Sequence, residues 1–206
     1  MVGETNWKEC YLSGQARWDT GRRDFNLVKM VKKTPIRPCR MLEVGCGTGT
    51  NALWLEKQGF SVTAVDVTAM AIERAKIKAN KARLKCRFFV ADFLKQKIKG
   101  RPFNFIFDRG CFHHFESAKE RAKFAKNVAL HLKDKAIWLS LIGSKDQARQ
   151  IPGPPLRSVK EIALAVEPHF EILSLYSSWF DSDMPLRPKC WVCLMRKRKL
   201  LDNPLR

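Results

Sequence analysis

Glycines at 45, 47 and 49 interrupt the chain where the apolar run Met41 to Val44 ends and a helix-compatible stretch from Asn51 begins. Alternate glycines at a strand-to-helix junction let the backbone bend sharply and lie directly against a bound molecule, because no Cβ stands between them. Downstream, Phe60-Ser61-Val62-Thr63-Ala64-Val65-Asp66 reads as a second buried strand ending in a carboxylate. That acid lies about as far on as the one that takes ribose hydroxyls in nucleotide folds. The pair points to an adenosine-containing ligand. A diphosphate would call for the spacing G-x-G-x-x-G and a helix N-terminus behind it, and position 50 is Thr, so the dinucleotide pattern is not met.

Two further strand ends carry groups of the same kind. Ala91-Asp92-Phe93 follows the run Cys86 to Val90, and Asp108-Arg109-Gly110 closes the run Phe103 to Asp108. His113 and His114 come next, and are the side chains near these ends whose ordinary pKa suits proton transfer at neutral pH. At most one of two adjacent residues faces a substrate, and His113 is the candidate. Cys190-Trp191-Val192-Cys193 is formally C-x-x-C, but it sits in a strand-like run, where residues three apart point to opposite faces. No metal site is expected.

The elements that must position these groups alternate as strand and helix. Strands are predicted at Cys39 to Val44, Ser61 to Asp66, Cys86 to Val90, Phe103 to Asp108 and Ala136 to Ile142. Helices are predicted at Asn51 to Gln58, Ala69 to Ala82, Ser117 to Leu132 and Ser158 to Val166, the second with apolar spacing at Met70, Ile72, Ala75 and Ile77. That order belongs to a parallel sheet covered on both faces, with ligands at the carboxyl ends of the strands near the point where strand order reverses. After the loop Ile151-Pro152-Gly153-Pro154-Pro155, two runs without a helix between them, Phe170 to Ser178 and Cys190 to Met195, read as an antiparallel edge hairpin. The expectation is one domain over 1–206, with a polar N-terminal cap segment (1–38), an α/β core (39–196) and a basic tail (197–206).

The chain has 39 Lys and Arg against 20 Asp and Glu, a formal charge of +19. A polyanionic partner would account for this, and so would solvated helix faces, since the cations are spread with local density at 74–87, 95–101 and 196–199. Seven cysteines, an odd set scattered through predicted strands and loops, suit reduced, packed thiols. Neither a signal-peptide-like start nor a membrane-length apolar run is present, so a cytoplasmic protein that does not enter a membrane is expected, as a monomer or a weak dimer.

The form E-x-G-x-G-x-G, with Glu43 leading, resembles the first motif of class I S-adenosylmethionine (AdoMet) methyltransferases. Arg17-Trp18-Asp19-Thr20-Gly21, with Trp7 upstream, resembles the tryptophan-rich N-terminal segment of the thiopurine and thiol methyltransferase group. Phe107 to Phe115 is similar to the segment after strand four in bacterial members of that neighbourhood, and the likeness spans about residues 7 to 196. The resemblance implies a Rossmann-like, seven-stranded, mostly parallel sheet with helices on both faces and an antiparallel edge hairpin. It implies that Gly45, Cys46, Gly47, Thr48, Gly49 and Asn51 line the ribose and methionine portion of AdoMet. Asp66 would take both ribose hydroxyls and Val67 would lie beside the purine. Asp92 would take the adenine amino group and Phe93 would meet the ring, whereas Asp108, with Arg109 and Gly110, would lie nearest the sulfonium end. Trp18 would close the site, its face attracting the sulfonium.

The acceptor implied is a small molecule, with sulfur slightly ahead of oxygen or nitrogen. Trp18, Phe112, Phe115, Trp179 and Phe180 are candidate walls for it, and Arg22, Arg109 and Arg187 are candidate partners for an acidic group. An RNA or protein methyltransferase is the alternative that the charge supports. Against it, Asp108-Arg109-Gly110-Cys111 lacks the prolines of base-amino enzymes, and Gly110 stands where cytosine-C5 enzymes place a proline before their thiol. A non-catalytic AdoMet binder is a third reading.

Overall fold

The computed structural model describes residues 7–33, 36–147, 153–184 and 186–199. Positions 1–6 and 34–35 of the cap segment, 151 and 152 of the proline-rich loop, Pro185 and residues 200–206 of the basic tail lie outside the described residues.

Two helices that the sequence reading passed over as a polar segment, α1 (Trp7–Leu12) and α2 (Phe25–Lys33), precede the sheet. Strand and helix then alternate through β1 (Arg40–Val44), α3 (Thr50–Lys57), β2 (Ser61–Asp66), α4 (Ala69–Lys81), β3 (Arg87–Val90) and β4 (Phe103–Arg109). A 3-10 turn at Phe112–His114 leads into α5 (Ala118–His131), β5 (Leu132–Gly143), α6 (Val159–Val166), β6 (Phe170–Trp179) and β7 (Lys189–Lys197). The strands form one sheet in the order β3-β2-β1-β4-β5-β7-β6, in which β7 alone runs against its neighbours. The expected Rossmann-like arrangement is thus present, and strand order reverses between β1 and β4.

Strand alternation divides the apolar residues between two cores. On one face Met41, Val62, Ala64, Phe105 and Phe107 meet Leu27 and Met30 of α2, Ala52 and Leu55 of α3, and Ile72 and Ala75 of α4. On the other, Leu42, Val44, Val65, Ile106 and Trp138 meet Phe124 and Val128 of α5 and Ile162 and Val166 of α6. Cys190 belongs to the first core and Cys193 to the second, so the two thiols of the C-x-x-C face apart. All seven cysteines are free. No helix among the described residues is long and apolar enough to cross a membrane.

Two details differ from the sequence reading. Ile77 is 60% exposed, and the buried stripe of α4 is Ala71, Ile72, Ala75 and Ala79. Small alanines let this helix lie close on β2 and β3, and the stripe they make is rotated away from Ile77. β5 starts at Leu132, ahead of Ala136, because Leu132 pairs with Phe103 across a register irregularity in β4.

Phe124 is fully buried, with its ring 5.2 Å from those of Phe93 and Phe115 and 6.0 Å from those of Phe112 and Trp138. Phe124→Ala should lower unfolding free energy by about 3–5 kcal/mol, the range for emptying an aromatic site in a packed core. Urea unfolding measures it.

Candidate functional site

Register places the candidate residues side by side. Val44 pairs with Val65 and with Asp108, and Asp66 pairs with Val90. The segments leaving β1, β2, β3 and β4 therefore emerge along one edge of the sheet, which brings together Gly45–Gly49, Asp66-Val67, Asp92 and Arg109-Gly110.

The loop after β1 is a tight backbone turn. The amides of Gly45 and Cys46 both donate to the Val65 carbonyl (2.8 and 3.0 Å), and the Gly49 amide donates back to that of Cys46 (3.0 Å). Gly47 and Gly49 have φ of +53° and +79°, in the left-handed region that side chains disfavour. A Cβ on Gly47 would lie 2.9 Å from the Tyr11 hydroxyl, and one on Gly49 2.9 Å from the Phe88 ring. Asp66 accepts from the Gly47 amide through Oδ2 (2.9 Å) and from the Thr68 amide through Oδ1 (2.9 Å). Each oxygen keeps lone-pair capacity for a further donor. Burial raises the Asp66 carboxyl above its usual range, against the pull of these amides.

Behind the loop, Glu43 is buried and its Oε2 has no hydrogen-bond partner among the described residues. Burial pushes this carboxyl up to about 8, against smaller opposing effects of bonds with Asn51 and the Ala52 backbone. Asn51 turns its side-chain oxygen to the Asp24 amide (2.9 Å). Thr48 donates to Asp19 (2.8 Å) and accepts from Lys78 (2.6 Å). Cys46 is buried, and burial raises its thiol.

The N-terminal segment covers this loop. Trp18 is 37% exposed and stands edge-on to Trp7 and Tyr11, with its indole N–H on the Tyr11 hydroxyl (3.3 Å). Trp7 in turn stands edge-on to His114. One guanidinium ties the cover down: Arg109 donates to Asp24 (2.8 Å), to the Trp18 carbonyl (3.3 Å) and to the Asp181 carbonyl (2.6 Å), and lies over the Phe180 ring.

Several candidates have other work. Phe93 points into the core, 5% exposed, against Phe124 and His131, so it does not offer its ring to a ligand at the strand ends. Asp92 makes a turn, accepting from the Leu94 amide (2.9 Å) and pairing with Lys95 (3.1 Å). Asp108 is fully buried and accepts from the Phe112 amide (3.1 Å) and the Trp138 indole (2.9 Å), which makes it an anchor for the loop after β4. Burial raises it to about 6 despite those donors.

His113 is corrected as a base. It is buried, and its Nδ1 accepts from the Gly143 amide (2.6 Å), which uses the lone pair and leaves the proton on Nε2. Its carbonyl accepts from buried Arg157 (2.9 Å). Of the wall candidates, Phe112 and Phe180 are buried and Phe115 packs on the core, while Trp18 and Trp179 stay part-exposed. Arg22 and Arg109 are committed to protein acceptors.

Tyr11, Asp19, Asp24, Lys78 and Arg157 were not singled out as site residues. Asp24 carried a local signal: it directly precedes the Leu27 and Met30 pattern of α2, as a helix N-cap does, and its Oδ1 accepts from the Asn26 amide (2.9 Å). The others depend on contacts between segments far apart in sequence.

The donor set can be tested against the expected ligand. Asp66, Glu43 and Asp108 surround a turn that exposes backbone rather than cations, and the nearby Lys78 and Arg109 are engaged. Asp66 offers acceptor oxygens to hydroxyl or amino donors, and a diphosphate would meet no uncommitted cation among these residues.

Residues 41–135 match the model of a methyltransferase domain. A probable thiol methyltransferase of Arabidopsis thaliana is 25% identical over 186 residues, 89% of this chain and 79% of that protein. An uncharacterized methyltransferase of Schizosaccharomyces pombe is 26% identical over 110 residues, 53% of this chain and 75% of that one. Among solved structures, one described by the conversion of a disulfide bond into a thioacetal group during echinomycin biosynthesis superposes with a TM-score of 0.79 at 26% identity. The match covers 88% of this chain and 85% of that one.

Arg109→Ala would strand the fully buried Asp24 carboxylate without its cation. A loss of about 3–5 kcal/mol in urea unfolding is expected, as for a broken buried pair. A separate test uses pH. Because the folded value of Glu43 lies above the ordinary 4.5, the folded chain keeps a proton that the unfolded chain releases. Its contribution is complete below about 4.5 and is lost as pH rises toward about 8. In Glu43→Gln, unfolding free energy measured across that window should fall less steeply with pH than in the parent.

Proposed function

Because the chain is a class I S-adenosylmethionine-dependent methyltransferase, we propose that its acceptor is a small thiol, methylated on sulfur. The observation that carries this reading is the state of the two histidines after β4. The lone pair of His113 is held by the Gly143 amide, and burial lowers His114 to about 4. Neither is suited to take a proton from an alcohol or an ammonium at neutral pH. A thiol has an ordinary pKa near 8.5 and reaches the site partly as its thiolate, so it needs no base from the protein. The thiol methyltransferase relative and the disulfide-to-thioacetal conversion of the structural neighbour point the same way.

AdoMet supplies the activated methyl group and a neutral thioether as leaving group. The chain's own part is to bind, align and dry the reactants. In this reading Asp66 accepts from the ribose hydroxyls and Val67, 54% exposed beside it, flanks the purine. The Gly45–Gly49 turn lies under the ribose and amino-acid tail, with Glu43 and Asn51 behind it. Asp92 is available to the adenine amino group through the oxygen that now pairs with Lys95. Trp18, with Trp7 and Tyr11, closes the cofactor from water. Arg109 and Asp108 act through the protein, the one by tying down the cover and the other by fixing the loop after β4. A small acceptor is favoured over a polyanion because Asp19, Asp24, Asp66, Asp92, Asp108, Asp181 and Asp183 gather at this end of the molecule.

A screen with methyl-labelled AdoMet against thiols, phenols, amines and total RNA tests the acceptor. Thiols should be labelled fastest, with a pH profile that follows each thiol's own pKa; preferential labelling of phenols, amines or RNA would reject the reading. His114→Gln should keep thiol turnover within about threefold, whereas loss of a true base costs 10²–10⁴. Asp66→Ala should weaken cofactor binding by about 1–3 kcal/mol in calorimetry, and unchanged affinity would remove Asp66 from the site.

A further inference from the structure

The amino-terminal ends of the strands, opposite the glycine loop, carry a second concentration of charge. Arg87 starts β3 and Arg40 starts β1. Lys85 precedes β3, Lys99 and Arg101 precede β4, and Lys133 and Lys135 lie in the first residues of β5. All seven are exposed. The guanidinium of Arg40 donates to the Gly100 carbonyl, and that of Arg87 to Thr63 (2.9 Å). Both Nη2 atoms lie within 4 Å of the point a Gly100 side chain would occupy, at 3.3 Å for Arg87 and 3.8 Å for Arg40, so two cations are held close beside this glycine.

Among the described residues no carboxylate pairs with any of these seven. The acids on this edge are taken elsewhere: Glu56 accepts from the Lys85 amide (2.8 Å) and the Cys86 thiol (2.7 Å), and Asp134 pairs with Lys197 (3.2 Å). Further along the same edge the pattern is the opposite, with Arg196 on Glu171 (2.7 Å). Helix dipoles explain Lys57 and Lys81, which end α3 and α4. They do not explain cations on strand starts and loops.

We propose that this row is a docking surface for the phosphate backbone of a single-stranded nucleic acid, separate from the methyl-transfer site. Five adjacent strands at about 4.8 Å each give a line of about 19 Å, along which a flexible phosphodiester chain brings several charges to bear. Anionic membranes are a poorer match, since surface-bound proteins set large apolar side chains among their cations. Near the row the described residues expose Leu130 at the end of α5 and Phe89, two residues past Arg87 on β3, isolated side chains that do not make an apolar face. An acidic folded protein would require an apolar centre for its interface, and the described part of the row has none. A shallow depression of about 380 Å³ between β2 and β3 is bordered by Lys85 and Arg87, and by Glu56, whose carboxylate is taken up by the Lys85 amide and the Cys86 thiol.

The test is fluorescence anisotropy of the full chain with a labelled oligouridylate of about twenty nucleotides, titrated with salt. Arg40→Gln/Lys85→Gln/Arg87→Gln should weaken binding at about 0.1 M salt at least tenfold and flatten the log–log salt slope by about 2, at roughly 0.7 per phosphate contact. Lys85→Gln/Lys99→Gln/Lys133→Gln, which removes no side-chain hydrogen bond seen among the described residues, should show the same direction if the first variant folds poorly. Lys119→Gln/Lys123→Gln/Lys160→Gln, away from the row on α5 and α6, should change binding less than twofold. S-adenosylhomocysteine affinity should be unaltered in all three. The proposal is overturned if the parent binds no tighter than about 100 µM, if the control loses as much as the row variants, or if phosphatidylserine vesicles or polyglutamate compete as well as the oligonucleotide.

Discussion

The backbone between β1 and α3 has to turn in a space that admits no side chain, and most of the site is arranged around that turn. Three elements close on it from different directions. Cys111, after β4, would meet a Cβ on Gly45 at 3.1 Å, and Tyr11 of α1 and Phe88 of β3 crowd Gly47 and Gly49 at 2.9 Å. Turn, cover and sheet edge are thus mutually dependent. A bulkier residue at any of the three positions would have to move a neighbouring element, besides straining its own φ.

The cover is held by a buried polar network. Asp24, fully out of water, receives Arg109, Asn26 and the Asp181 amide, while its own amide reaches Asn51 behind the glycine turn. Burying an ion pair is costly, and such a pair adds little net stability over apolar packing. What it contributes is register: the N-terminal segment, the end of β4 and the loop after β6 can engage one guanidinium together in a single arrangement. The residues that close the site are in this way coupled to those that form its floor.

Charge is divided along the strand axis. Carboxylates gather where the strands end, and among the described residues cations without a carboxylate partner gather where the strands begin. A net charge of +19 therefore says little about the glycine turn, where the nearby cations Lys78 and Arg109 are held by protein acceptors.

The sequence by itself determined the alternation of elements, the place of the turn, and the acids at the strand ends, because these follow from local periodicity and from the steric demands of glycine. β2 at Ser61–Asp66 matches the reading residue for residue, and the other strands of the parallel core begin or end within a few residues of it. α1 and α2 were missed because six and nine residues carry too short a period to stand out among lysines. Side-chain direction was decided only by tertiary structure. Phe93 and Asp108 sit at strand ends in the sequence, yet one turns into the aromatic core around Phe124 and the other is drawn under Trp138. His113 looks like a base until the Gly143 amide, thirty residues away, takes its lone pair. Partners this distant in the chain meet because parallel strands bring their ends together, and no pattern within one segment encodes which of them will share a proton.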